Sequence, residues 1–207
     1  MKDKNLLGLF AKFPEPGKVK TRLAKDIGPD AAARVSREIA EYVLKRTSPE
    51  GSGYRRIIFY MPETMRQRFS VWMPDEILRA QTGSDVGERM DNALKELFDM
   101  GAEKAIIVGS DIPGLHRGII DQAFHELDSC DVVIGPAMDG GYYLIGMKSP
   151  NPEIFRNISW GTEKVFKETV TIIEKKGLSY GVVATLFDVD DLDDFTRAGE
   201  LLKDTEY

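Results

Sequence analysis

Short apolar runs rich in β-branched residues recur along this chain, separated by stretches whose apolar positions repeat every three or four residues. The runs lie at Leu6–Phe13, Ile57–Met61, Ala105–Gly109, Val132–Gly135, Tyr142–Met147 and Gly181–Phe187. Each is strand-sized. Between them, Val35, Ile39 and Val43 form one apolar stripe, Met90, Leu94 and Leu97 a second, and Phe166, Val170 and Ile173 a third. Each stripe is about one helical face wide. Strands alternating with amphipathic helices predict βαβ units, right-handed crossovers and a mostly parallel mixed sheet covered on both faces, a three-layer α/β sandwich. No internal repeat, low-complexity tract or long linker interrupts the pattern. A length of 207 residues, 42% of them hydrophobic, suits one sizeable core, so a single domain over residues 1–207 is expected.

Composition excludes several classes. No apolar stretch approaches the roughly 20 residues of a membrane-spanning helix, and MKDKNLL runs straight into a strand rather than a signal peptide. A cytoplasmic protein without a membrane span is expected. The single cysteine, Cys130, precludes an intramolecular disulfide or a CxxC zinc cluster, and beside the strand-like "CDVVIG" it reads as packing. A net charge of −6 argues against general affinity for nucleic acid. The charge is uneven, however: residues 1–25 carry a net +5 and residues 186–207 a net −6. Taken alone, these are two solvated surface segments.

In open α/β sheets, ligands bind outside the carboxyl ends of the strands, so the loops after strands are where chemistry is sought. In "FAKFPEPGKVKTRL", Pro16–Gly17 suits the centre of a type II turn, and Lys18, Lys20 and Arg22 follow at every second position. A stiff turn presenting N–H groups and three cations suits a polyphosphate; a solvated surface turn is the competing reading. In "IIVGSDIPGL", Asp111 stands at the end of a buried strand, as a metal carboxylate or a turn aspartate. In "GPAMDGGYYLIGM", Asp139–Gly140–Gly141 reads as a hairpin-like connection with a structural aspartate, although paired glycines also let a ligand approach the backbone. Tyr142 and Tyr143 alternate in direction, so at most one is expected to face a site. In "FDVDDLDDF", most of Asp188, Asp190, Asp191, Asp193 and Asp194 favour the start of a helix over Leu192–Lys203, and one of Asp188 and Asp190 is a candidate second metal carboxylate. A GxGxxG after the first strand, a P-loop and a GxSxG elbow are all missing.

Together "FAKFPEPGKVKTRL", "QTGSDVGERM", "VGSDIPGL", "GPAMDGGYYLIGM", "ISWGTEKVF" and "DVDDLDDF" resemble, over nearly the whole chain, the GT-A-type glycosyltransferase family called radical-SAM/selenium-domain-associated transferase 1. The resemblance implies the nucleotide-diphospho-sugar transferase fold, with a nucleotide over the first loop and Mg²⁺ or Mn²⁺ at Asp111. Asp190 aligns with a second metal ligand of the nucleotidyltransferase relatives. Two departures stand out: those relatives open with a GxGxR-like loop, whereas this chain has Pro14, Pro16 and Gly17, and Ser110–Asp111 lacks the full Asp-x-Asp of many glycosyltransferases. Lys12, Lys18, Lys20 and Arg22 are the expected phosphate clamp, and Asp139 the expected base or sugar-hydroxyl ligand. Gly140, Gly141, Tyr142 and Trp160 are the expected acceptor or sugar contacts, with Trp160 stacking on a ligand or closing a core edge. Arg89 would reach a phosphate or pair with a carboxylate, and Ser84 is a candidate N-cap. His116 and His125 read as surface or capping residues. The expected activity is metal-dependent transfer from a nucleotide-activated donor, most simply glycosyl transfer from a nucleoside diphosphate sugar to a small-molecule acceptor. Nucleotidyl transfer from a nucleoside triphosphate with release of pyrophosphate, and non-catalytic nucleotide binding, are the alternatives; a homo-oligomer is possible.

Overall fold

Seven strands form one sheet in the order β3-β2-β1-β4-β6-β5-β7. They are β1 Asn5–Lys12, β2 Arg55–Met61, β3 Ile77–Ala80, β4 Lys104–Gly109, β5 Val132–Pro136, β6 Tyr142–Met147 and β7 Tyr180–Val182. The structure is a computed structural model that describes residues 4–203, so the first three residues of the basic start and the last four of the acidic end lie outside it. All neighbouring strands are parallel except β6, which runs antiparallel to both β4 and β5. The helices are α1 Ala24–Ile27, α2 Pro29–Arg46, α3 Arg66–Trp72, α4 Val86–Asp99, α5 Arg117–Ser129, α6 Val165–Lys175 and α7 Leu192–Lys203.

Strand alternation divides the core in two. Leu7, Leu9 and Ala11 of β1 pack on one face with Val35, Ile39 and Val43 of α2 and with Ile120 and Leu127 of α5. Leu6 packs on the other with Met90, Leu94 and Leu97 of α4 and with Ile173 of α6. The three stripes read from the sequence therefore face the sheet, and burying them supplies the main driving force for assembling the layers.

Two differences from the sequence reading have local causes. The run Gly181–Phe187 is not one strand: the ladder stops at Val182, and only a bridge between Ala137 and Leu186 continues the pairing. There the Ala184 carbonyl accepts the Tyr143 hydroxyl at 2.7 Å, a side-chain partner in place of a ladder partner. Strand β3 escaped notice because its four residues sit at the sheet edge with alternate positions exposed and Arg79 among them. Among the described residues, no helix is long and apolar enough to cross a membrane.

His116 caps α5, its Nδ1 accepting the Gly118 N–H at 3.1 Å. Burial, then the charge of Arg46, pushes its pKa below the ordinary histidine value. The folded state thus binds this proton less readily than the unfolded state. Its contribution to stability is complete above pH ~6.5 and falls as pH drops below that value. His116→Asn keeps a capping acceptor without the titration, so melting temperatures between pH 7.5 and 5 are expected to fall less steeply in the variant than in the wild type.

Candidate active site

The strand order reverses between β1 and β4, which places the loops after these two strands side by side at a topological switch point. The Ser110 N–H donates to the Phe10 carbonyl at 3.1 Å and holds the two strand ends together. After β1 the chain makes the expected turn: Lys18 N–H donates to the Glu15 carbonyl at 3.0 Å, and Gly17 takes φ +74°, the left-handed conformation that glycine adopts without strain. Lys12 Nζ braces it by donating to the Lys18 carbonyl at 2.6 Å.

The acidic end meets this turn directly, because the Leu23 N–H donates to the Asp190 carbonyl at 3.1 Å. Its aspartates divide by task. Asp191 Oδ1 accepts the Asp194 N–H at 3.0 Å and Asp194 Oδ2 accepts the Asp190 N–H at 3.1 Å, so both serve the start of α7. Asp188 and Asp190 face the crevice instead.

Lys20 joins the two sides. Its Nζ donates to Asp111 Oδ2 at 3.0 Å and lies 3.6 Å from Asp190 Oδ1, while Arg22 Nη1 stands 3.7 Å from Asp190 Oδ2. The Lys20 side chain is 6% exposed and Arg22 74%. Lys20 also takes φ +45°, a left-handed conformation unfavourable for a side chain of this size. Burial pushes the ammonium pKa down, but the charge and hydrogen bond of Asp111, with Asp190 and Asp188 behind it, push it further up. Asp111 mirrors this: burial raises its pKa, and the charge and hydrogen bond of Lys20 outweigh burial and hold it below the usual carboxylate value. Asp188 lacks such a partner; burial, then Asp111, Asp190 and Asp139, push its pKa up to about 6.

Two cavities adjoin here. One, of about 300 Å³, is lined by Lys12, Lys18, Lys20, Arg22, Ser36 and Ser110. The other, of about 540 Å³, is bordered by Phe10, Met90, Asp139, Tyr142, Trp160 and Asp188 among others. Arg22, Asp111 and Asp190 belong to both walls. The arrangement can hold a polyanion on one side and, on the other, a molecule that presents both a polar edge and a ring or apolar face, with a cation between paired carboxylates at the junction. Among the described residues no group of three or more His, Cys, Asp or Glu side chains is placed to hold a metal ion. Asp111 and Asp190 are the two carboxylates that could hold a divalent cation whose shell is completed by phosphate oxygens and water, in the position the Lys20 ammonium now takes.

The remaining expected residues separate. Asp139 borders the larger cavity and is also the structural aspartate of the β5–β6 hairpin, its Oδ1 accepting the Gly141 N–H at 2.8 Å. Gly141 lines that cavity, whereas Gly140 packs against Glu163 and accepts the Phe166 N–H at 2.9 Å, fastening the segment before α6. Tyr142 and Tyr143 lie on opposite faces, as alternation requires, yet both border the cavity. Trp160 stands edge-on to Tyr142 with centroids 6.3 Å apart. Its indole rests on Gly87, where a Cβ would approach within 2.4 Å, so a side chain at 87 would displace the ring. Arg89 borders neither cavity; its Nε donates to the Gly83 carbonyl at 3.1 Å, not to a carboxylate or toward the clamp. The cap of α4 is Asp85, accepting the Glu88 N–H at 2.8 Å, and not Ser84, whose hydroxyl donates to Glu88 Oε2. Glu163, on the larger cavity wall, went unnoticed in the sequence although it lies within "ISWGTEKVF".

Residues 45–162 match the family described as "Uncharacterized protein conserved in bacteria (DUF2064)". A crystal structure from Desulfovibrio desulfuricans G20, provisionally named a nucleotide-diphospho-sugar transferase, superposes with a TM-score of 0.92 at 34% identity, covering 100% of this chain and 90% of that one. A 2-phospho-L-lactate guanylyltransferase from Methanocaldococcus vulcanius is 28% identical over 104 residues, 50% of this chain and 46% of the relative's length. That match thus spans under half of the curated relative. A CMP:2-keto-3-deoxy-manno-octonic acid synthetase complexed with CTP shares the fold at a TM-score of 0.61 and 10% identity, covering 97% of this chain and 99% of that one. These similarities reach the nucleotide-diphospho-sugar transferase grouping; the narrower radical-SAM-associated name rests on the sequence motifs alone.

Proposed function

This chain belongs to the bacterial family DUF2064, and we propose that it is a metal-dependent transferase that takes a nucleotide-activated donor, with glycosyl transfer from a nucleoside diphosphate sugar as its reaction. The observation that carries the reading is the Lys20 ammonium between Asp111 and Asp190, at the junction of a cationic cleft and a larger cavity walled by both aromatic side chains and carboxylates.

Lys18, Lys20 and Arg22 hold the donor diphosphate, with Lys12 bracing the turn that carries them. Cations preorganised by a stiff loop lose little entropy on binding, and they oppose the charge that grows on the leaving phosphate. Asp111 and Asp190 would hold Mg²⁺ or Mn²⁺, which would supply positive charge to that same leaving group. Asp139, fixed by its hairpin, accepts the proton of the acceptor hydroxyl. Tyr142 and Trp160 offer aromatic surface to the sugar or acceptor.

A second reading, nucleotidyl transfer with release of pyrophosphate, is supported by the similarity to a guanylyltransferase. Both use the same cations; the leaving group distinguishes them. Purified protein is to be melted with a panel of nucleoside diphosphate sugars and nucleoside triphosphates, with and without Mg²⁺ or Mn²⁺. A bound donor at 100 times its Kd stabilises by about 2.7 kcal/mol, a rise of roughly 5–10 °C for a chain of this size. Free nucleoside diphosphate among the products supports glycosyl transfer and pyrophosphate supports the second reading. If no nucleotide stabilises the protein in either metal, both are rejected.

A further inference from the structure

The larger cavity constrains the acceptor. Five carboxylates stand on its wall, Asp111, Asp139, Glu163, Asp188 and Asp190, and among the described residues Arg22 is its one cation. Arg22 is shared with the phosphate cleft, and its Nη1 lies 3.7 Å from Asp190 Oδ2. A metal at Asp111 and Asp190 would engage those two carboxylates together with the donor phosphates. Asp139, Glu163 and Asp188 would still confront whatever enters beside Tyr142 and Trp160. An incoming phosphate or carboxylate would lose its water in front of these like charges; the nearby Lys20 ammonium is already taken up by Asp111 and Asp190, and among the described residues no Lys or additional Arg lines the cavity to replace the lost solvation. A neutral molecule avoids that penalty and gains contact with Phe10, Met90, Tyr142 and Trp160.

The nucleophile follows from the same wall. A phosphate needs cations to approach an anionic donor and needs no base. A hydroxyl needs a carboxylate to take its proton and no cation of its own. We propose that the acceptor is an uncharged hydroxyl compound with an apolar or ring face, seated on Tyr142 and Trp160, and that phosphorylated and carboxylated acceptors are rejected. This rests on the reading of the site as a transferase. In glycosyl transfer, the acceptor oxygen bonds to the anomeric carbon, the bond from that carbon to the phosphate oxygen breaks, and the nucleoside diphosphate leaves with the electron pair. The hydroxyl proton passes to a wall carboxylate.

The test separates charge from shape without a nucleotide. Phenyl β-D-glucopyranoside and phenyl phosphate are titrated against the full chain by saturation-transfer NMR, and then against Trp160→Ala and the double variant Glu163→Gln/Asp188→Asn, with folding checked by circular dichroism. The glucoside is expected to bind at least 10-fold more weakly to Trp160→Ala. Phenyl phosphate is expected to bind the wild type only at the cationic cleft, with no dependence on Trp160 and with loss on Lys18→Ala/Arg22→Ala. In the double variant, phenyl phosphate should gain a Trp160-dependent site while the glucoside affinity changes less than 3-fold. Equal or tighter Trp160-dependent binding of phenyl phosphate by the wild type would overturn the proposal. So would a glucoside that does not bind, or one indifferent to Trp160. Failure here with nucleotide stabilisation intact rejects the acceptor class alone, whereas loss of nucleotide stabilisation rejects the transferase reading.

Discussion

Replacing Lys20 with methionine is expected to lower turnover by about 10²–10³-fold, the usual loss when a group aimed at developing charge is removed. Methionine approximates the length of the stem and deletes only the ammonium, so the change isolates charge. Without it, only a backbone hydrogen bond still opposes the burial that raises the Asp111 pKa, and Asp111, Asp188 and Asp190 are left as neighbouring carboxylates. The stability loss should be smaller than that of a fully buried pair, about 1–2 kcal/mol, since the Asp111 and Asp190 side chains remain 45% and 44% exposed. Lys20→Arg is not expected to rescue activity, because a planar guanidinium cannot occupy the point that one ammonium takes between two carboxylates. The double variant Lys20→Met/Asp111→Asn should recover most of the stability and none of the turnover. If Lys20→Met keeps at least a third of wild-type turnover, the phosphate clamp as described is wrong.

The parts of this site legible from sequence were those built from local chemistry. Pro16–Gly17 announces a turn because proline and glycine each fix one of its dihedral angles, and the turn is there. That Asp111 and Lys20 share a crevice also followed from pattern, since alternating strands and helices place the loop ends at one edge of a parallel sheet. What the pattern could not assign was which aspartate of "DVDDLDDF" does what. Asp191 and Asp194 differ from Asp188 and Asp190 only in where the backbone begins α7: a start one residue earlier would make Asp190 and Asp193 the capping pair and take Asp190 from the crevice. The present partner of Arg89 was illegible for a related reason. Its guanidinium is taken up by the Gly83 carbonyl, a backbone partner that no residue pattern advertises. Glu163 enters the cavity wall through packing of its backbone against Gly140, a contact between distant segments that has no local signature.

The largest stability effect is expected far from the crevice, at Arg56. This residue begins the buried part of β2, at the opposite end of the strand from Met61, and is only 7% exposed. Its Nη1 donates to the Leu44 carbonyl at 2.6 Å, the Thr47 carbonyl at 2.9 Å and Thr47 Oγ1 at 3.0 Å, while Nε and Nη2 engage the Glu76 carboxylate. Carbonyls in the last turn of a helix have no intrahelical partner, and here one guanidinium serves the end of α2, the strand and the segment before β3 together. Arg56→Met leaves the Leu44 carbonyl without this donor and Glu76 uncompensated, so a loss of about 3–5 kcal/mol is expected, or roughly 10 °C in melting temperature. Glu76→Gln should cost less, about 1–2 kcal/mol, because a neutral amide still accepts from the guanidinium. Arg56→Met/Glu76→Leu should recover part of the loss by removing the stranded carboxylate, but not all, since the Leu44 carbonyl stays unmet, whereas the Thr47 carbonyl keeps the Tyr54 hydroxyl at 2.9 Å. Turnover measured well below the melting temperature should remain within 2-fold of wild type in all three. A fall in kcat matching the fall in stability would mean that the end of the sheet remote from the crevice is coupled to the site.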